Sequence, residues 1–281
     1  MNPEILRLVA GLVLSSIIGV VAYRKQALSK SGVWGAIITG TAIFGFGGWT
    51  WGLTLMAFFV YGTLLSRFKE KQKEHLAAEK FEKGSRRDLG QALANGGVGA
   101  VLAVLYFLNP ASQWLFAGFI GAMATVNADT WATELGVLSK QGPRLITSGR
   151  RVPPGTSGGI TVLGTLATTL GGLAIGLTVW GLVLGRAWLQ PGTNWAGYWW
   201  VLSVATLGGL VGSLSDSLMG ATVQAMYSQA GTGKETEKKL DSQGQPNVFR
   251  RGWPFMNNDA VNFCSSAIGA AAAIVLYLLL V

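Results

Sequence analysis

Four acidic residues stand where acids are rare. Asp129, Glu134, Asp216 and Asp259 fall near the ends of long apolar runs, whereas most of the other acids lie in charged loops. An acid at the edge of an apolar helix costs desolvation energy and by default marks function. Five polar patches share that address. Arg86-Arg87-Asp88 leads through Gln91 to Asn95-Gly96-Gly97. Asn127 to Glu134 closes one apolar run, and Pro153-Pro154-Gly155-Thr156-Ser157-Gly158-Gly159 opens another. Ser213-Leu214-Ser215-Asp216-Ser217 closes a further run, and Asn257-Asn258-Asp259 with Asn262 opens the last.

This chemistry suits phosphate and a hard divalent cation. Mg²⁺ takes one or two carboxylates and completes its shell with water and substrate phosphate. Asp129 and Asp216 are the expected Mg²⁺ ligands and catalytic residues, with Asp259 as a third carboxylate. Asn95, Asn127 and Asn258 are expected beside the phosphates. Glu134 follows Asp129 by five residues, about 140° around a regular helix, and should face elsewhere. Gly155, Thr156, Ser157, Gly158 and Gly159 are expected to start a helix whose free N–H groups hold an anion. The stretch lacks the Gly-Lys-Ser/Thr ending of a Walker A loop; a plain glycine-rich packing start is the other reading.

Three dibasic pairs precede three helix starts: Arg86-Arg87, Arg150-Arg151 and Arg250-Arg251. They fix topology as stop-transfer charge, or they ring a polyphosphate with guanidinium groups. On the second reading Arg87 and Arg150 bind phosphate, and Arg151 acts in catalysis. The single histidine, His75, lies in a charged stretch and the single cysteine, Cys264, in an apolar one. Neither supports a histidine base, a disulfide or a cysteine zinc site.

The elements that position these residues are membrane helices. Half of the 281 residues are hydrophobic and only 12% are charged, about half the charged share of a soluble domain; mean hydropathy is +0.40. The fold class is therefore all-α, a polytopic helical bundle of seven or eight membrane helices in one integral membrane domain, residues 1–281. Candidate spans are Ile5–Tyr23, Gly32–Phe46, Trp49–Leu65, Ala92–Leu108, Trp114–Val126 (continuing to Leu138), Ile160–Leu184, Tyr198–Met219 and Val261–Val281. The second and third either both span or form a re-entrant hairpin. The first is read as a retained helix rather than a removed signal peptide. The dibasic, Gly-Gly, apolar-hairpin and Asp order occurs twice, around residues 86–129 and 150–216, as a weak internal repeat.

Twenty of the 22 Lys and Arg residues fall in alternate loops. The positive-inside rule then places both termini outside and the loops 66–91, 139–159 and 226–258 in the cytoplasm of a bacterial-type cell membrane, with the polar patches on that face. Within the first of these, Glu79 and Lys83 have favourable helical spacing, as a solvated helix or a surface facing lipid headgroups. The net charge of +9 follows topology rather than a groove-binding face, so no nucleic-acid partner is expected. Nothing in the sequence specifies an oligomeric state.

The motifs NADTWATELG (127–136), PPGTSGGIT (153–161), GSLSDSLMGATVQ (212–224) and NNDAVN (257–262) resemble those of the transmembrane protein 19 family, which includes phytyl-phosphate kinases. More distantly, they are similar to CTP-using polyprenol kinases and CDP-diacylglycerol synthases. The resemblance implies phosphoryl transfer from a nucleoside triphosphate, CTP or similar, to a prenyl monophosphate lipid such as phytyl phosphate. Where many of those kinases carry an acid within Gly-Thr-Glu-Gly, this chain has Ser157. The competing expectations are a transporter or flippase for a phosphorylated lipid, using the acids as cation-coupling sites, and a CTP-dependent lipid cytidylyltransferase.

Overall fold

A computed structural model describes residues 3–69, 86–190, 195–229, 233, 235–241 and 243–281. The stretch with His75, Glu79 and Lys83 lies outside the described residues. Eight α-helices are found among them: α1 Pro3–Arg24, α2 Lys30–Gly47, α3 Trp49–Arg67, α4 Leu89–Leu108, α5 Gln113–Gly136, α6 Val162–Leu189, α7 Val201–Thr222 and α8 Asn258–Leu280. They agree with the eight expected spans to within a few residues. Short antiparallel strands decorate two basic loops. Strand β1, Arg144–Leu145, pairs with β2, Gly159–Ile160. Strand β3, Met226–Ser228, lies between β4, Glu235–Thr236, and β5, Val248–Arg251.

Helix α5 is the axis of the bundle. It packs against α3, α4, α6, α7 and α8, and every residue from Leu115 to Ala128 is buried. A helix with protein on all sides does not need an apolar face for lipid, which is why this one tolerates Asn127 and Asp129. Close packing around it depends on small residues, as in membrane helices generally. The Thr125 hydroxyl lies so near α7 and α8 that a Cβ on Gly212 or Gly269 would collide with it. The outer helices expose their apolar faces: in α1, Ile5, Leu6, Val9, Leu12, Val13 and Ile17 are open. Six helical segments among the described residues are long and apolar enough to cross a membrane.

Helices α2 and α3 have 18 and 19 residues and rise about 27 Å each; α3 is one of the six segments apolar enough to cross a membrane, and α2 is not. Gly48 alone separates them, with φ of +85°, and its N–H donates to the Phe44 carbonyl at 2.8 Å. A left-handed junction of one residue calls for glycine.

The two ends of the bundle differ. At the end holding the short loops, aromatic rings from five helices stack around Phe116. Trp51 lies 4.2 Å from Phe119, and Trp200 meets Tyr277 at 4.7 Å. The opposite end collects the basic loops.

Candidate functional site at the basic end of the bundle

The four basic loops contact one another or their neighbouring helix ends. The Arg87 N–H donates to the Ala27 carbonyl at 3.1 Å, and the Ser29 N–H to the Arg87 carbonyl at 2.9 Å. The Ser66 hydroxyl donates to Glu134 at 2.6 Å. The Ser157 hydroxyl donates to the side-chain oxygen of Gln224 at 2.8 Å. All five polar patches therefore share one end of the molecule, as their positions in the sequence required.

Asp129 and Asp216 come together there. Each lies about two turns before the end of its helix. The Ser213 hydroxyl of α7 hydrogen-bonds Asp129. The Ser265 hydroxyl of α8, which donates to the Asn262 carbonyl at 3.0 Å, lies near Asp216, which also feels the charges of Asp129 and Glu237. Oδ2 of Asp216 is buried with no hydrogen-bond partner. Two carboxylates that feel each other's charge among helices repel in a medium of low dielectric, and a buried carboxylate oxygen without a donor calls for an explanation. A divalent cation between them would answer both, so the pair fits Mg²⁺.

Among the described residues, no three Asp, Glu, His or Cys side chains converge on a single ion position. Asp259 instead occupies the first turn of α8, where a negative charge complements the helix dipole. Beside it, Asn258 is the first residue of α8, and the Asn257 side chain caps that helix by accepting from the Ala260 N–H at 2.9 Å. Glu237, from the loop between β4 and β5, is the carboxylate whose charge reaches Asp216. In the sequence it is masked by the charged run around Lys238 and Lys239. Ser265 was equally silent, since a serine in an apolar helix usually bonds to its own backbone, as this one does to Asn262.

Asn127 and the Gly155–Gly159 stretch take packing roles. Asn127 has no exposed surface, and its amide donates to the Gly171 carbonyl at 2.8 Å. It bolts α5 to α6 rather than facing a solvated phosphate. The Gly155–Gly159 stretch is not a helix start. Thr161 caps α6 by accepting from the Gly164 N–H at 2.9 Å, and the glycines form the turn ahead of it. The Thr156 N–H donates to Pro153 and the Gly159 N–H to Thr156, so these two donors are used inside the turn. Gly158, with φ of +78°, presses on α7 so closely that a Cβ would stand 2.5 Å from that of Ala221. The stretch thus docks its loop on the helix that carries Asp216.

The three dibasic pairs separate by role. Arg251 donates to the Gly220 and Ala221 carbonyls at 3.2 and 3.1 Å and pairs with Glu235 at 2.9 Å, which closes the end of α7. Arg150 and Arg151 are exposed on the β1–β2 hairpin. Arg87 turns inward: its guanidinium lies 5.1 Å from the Phe58 ring and 5.3 Å from Phe59, and Nη1 is buried with no hydrogen-bond partner. Burial lowers its pKa to about 10, against the opposing charge of Glu134, and the group stays cationic at neutral pH. Glu134 faces Ser66 and Arg87 while Asp129 faces Ser213, as their separation around α5 predicts. Asn95 lies two turns along α4 from Arg87.

The chain is 32% identical to Protein PGR of Arabidopsis thaliana over 275 residues, covering 92% of each protein. It is 29% identical to an uncharacterized membrane protein of Methanocaldococcus jannaschii, covering 97% of this chain and 95% of that one. With Protein VTE6, chloroplastic, of Arabidopsis thaliana the identity is 27%, over 89% of this chain and 65% of that protein. No solved structure matches. The family model described as integral membrane protein DUF92 matches residues 13–270, nearly the whole bundle with both carboxylate-bearing helices, and the chain belongs to that family.

Proposed function

We propose that this protein is a membrane lipid kinase that transfers the terminal phosphoryl group of a nucleoside triphosphate, CTP or similar, to a prenyl monophosphate such as phytyl phosphate. The observation that carries this reading is the meeting of Asp129 and Asp216, with a buried carboxylate oxygen left open, at the end of the bundle where the basic loops gather. The motif resemblance to phytyl-phosphate kinases and the likeness to Protein VTE6, chloroplastic, support the lipid substrate. The site faces the cytoplasm and both termini lie outside, on the distribution of Lys and Arg.

In the reaction, an oxygen of the lipid phosphate forms a bond to the terminal phosphorus of the nucleotide. The bond from that phosphorus to the bridging oxygen breaks, and the nucleoside diphosphate leaves. The attacking phosphate is already ionised at pH 7, so no strong base is needed. Catalysis rests on positioning and charge neutralisation. Asp129 and Asp216 would hold Mg²⁺, which when bound supplies positive charge to the transferring phosphoryl oxygens. Ser213 and Ser265 lie beside the two carboxylates. Arg150 and Arg151 approach the polyphosphate from the hairpin, and Arg87 faces the lipid phosphate.

Purified full-length protein incubated with phytyl phosphate and terminally labelled CTP should yield labelled phytyl diphosphate. Incorporation of the cytidylyl group with release of diphosphate would instead identify a cytidylyltransferase. Movement of phytyl phosphate across vesicles without label transfer would identify a flippase, and either result sinks the kinase reading.

A further inference from the structure

A cavity of about 220 Å³ lies between α1, α2, α3 and the start of α4. Helices α1 and α3 both pack on α2 but scarcely touch each other, so the cavity is a groove along α2. Its walls are apolar, with Ile18, Ala36, Phe44, Leu53, Met56 and Phe59 among them. Ile18 and Met56 are partly exposed at its rim, which faces the lipid. From Trp49 to Phe59 it follows α3 for about 15 Å. Polar side chains cluster at its basic end, where Arg87, Gln91 and Asn95 line it.

Arg87 gives this groove a direction. Its backbone is clamped to Ala27 and Ser29, its guanidinium is walled by Phe58 and Phe59, and its Nη1 is buried without a partner. Glu134, held by Ser66, is the carboxylate that acts on it. A buried guanidinium donor left open is costly and suits a strong anionic acceptor, phosphate above all. Gly62 sits between Nη2 of Arg87 and the Thr130 methyl of α5, so the polar end of the groove abuts the residue next to Asp129.

We infer that this groove binds the hydrocarbon chain of the lipid substrate, with its phosphate on Arg87 beside Gln91 and Asn95. The inference rests on the kinase reading for the isoprenoid nature of the chain. Its amphiphilic character comes from the groove, which is apolar along its length and cationic at one end. Entry is lateral, from the membrane between α1 and α3. Charge complementarity at Arg87 distinguishes this groove from an ordinary lipid-facing crevice.

The test uses full-length protein in detergent, a phytyl phosphate analogue carrying a photoreactive diazirine in its chain, and no nucleotide. Crosslinks should map to residues 14–59 and be competed by phytyl phosphate but not by phytol. Met56→Trp at the rim and Ala36→Trp deeper in should each reduce labelling about tenfold, equivalent to 1.4 kcal/mol. Arg87→Gln should reduce it similarly. Each variant is first checked for monodispersity, and Met56→Trp, at a partly exposed position, keeps the test open if Ala36→Trp does not fold. Labelling that is spread over the outer helices, or indifferent to all three substitutions, overturns the groove. Crosslinks in the groove of a protein that shows no transfer in the separate labelled-CTP assay would sink the kinase reading alone. Transfer with crosslinks mapped elsewhere would sink the groove alone.

Discussion

Asp216 carries the sharpest expectation at the scale of single residues. Its open carboxylate oxygen and the neighbouring charge of Asp129 make the metal-free protein pay for two buried like charges. Asp216→Asn removes one of them. In metal-free buffer the variant should melt at or above the wild-type temperature. Mg²⁺ should raise the melting temperature of the wild type and leave the variant unmoved, while phosphoryl transfer falls at least ~10²-fold, the scale of losing a transition-state contact. A Mg²⁺-dependent shift that survives in both Asp129→Asn and Asp216→Asn removes the pair as the metal site. Arg150 and Arg151 offer a separate test, because both are exposed and neither is tied into helix packing. Arg gives phosphate a planar fork and Lys does not. The Arg150→Lys, Arg151→Lys double variant should therefore lose most of its turnover at saturating Mg²⁺ and nucleotide. Full activity would leave the pair with topology as its only role.

Among the elements, the end of α7 is held from two sides. Gly158 presses on Ala221 from the 153–159 turn, and Arg251 of β5 binds the last carbonyls of the helix. Gly158→Ala must relieve a 2.5 Å approach at a positive φ and should cost about 1–3 kcal/mol, as overpacking does. Arg251→Ala leaves helix carbonyls and Glu235 without their cation, and should cost about 1–2 kcal/mol, allowing for the partial exposure of the pair. Thermal unfolding in detergent and limited proteolysis of the 226–251 loop measure both. A loop that becomes protease-sensitive in Arg251→Ala but not in Arg150→Lys, Arg151→Lys separates the structural pair from the functional one. No change in either measurement for Arg251→Ala would mean that β5 docks without it. This division of labour was hidden in the sequence, where the dibasic pairs look alike.

For the whole molecule, the charge distribution predicts the orientation in the membrane. In a Cys264→Ala background, Gly149→Cys and Lys239→Cys should react with an impermeant maleimide only after permeabilisation. Ala111→Cys, at the aromatic end, should react in intact cells. The reverse pattern would turn the protein over and place its site outside. The sequence by itself determined a bundle of seven or eight helices, their approximate limits and the gathering of polar patches at one end. Those follow from the length of apolar runs and from alternation across a bilayer, which are one-dimensional properties. It also singled out Asp129 and Asp216, because an acid in an apolar helix is conspicuous without any knowledge of its neighbours. Only the tertiary structure decided which partners those acids meet. Ser265 and Glu237 are ordinary residues until packing brings them to Asp216, and Asn127 looks like a ligand until α6 closes over it. The three arginine pairs share a sequence pattern but not a role. Whether a guanidinium caps a helix, stays in solvent or turns into a groove depends on the face it meets, and that is set by long-range contacts between helices.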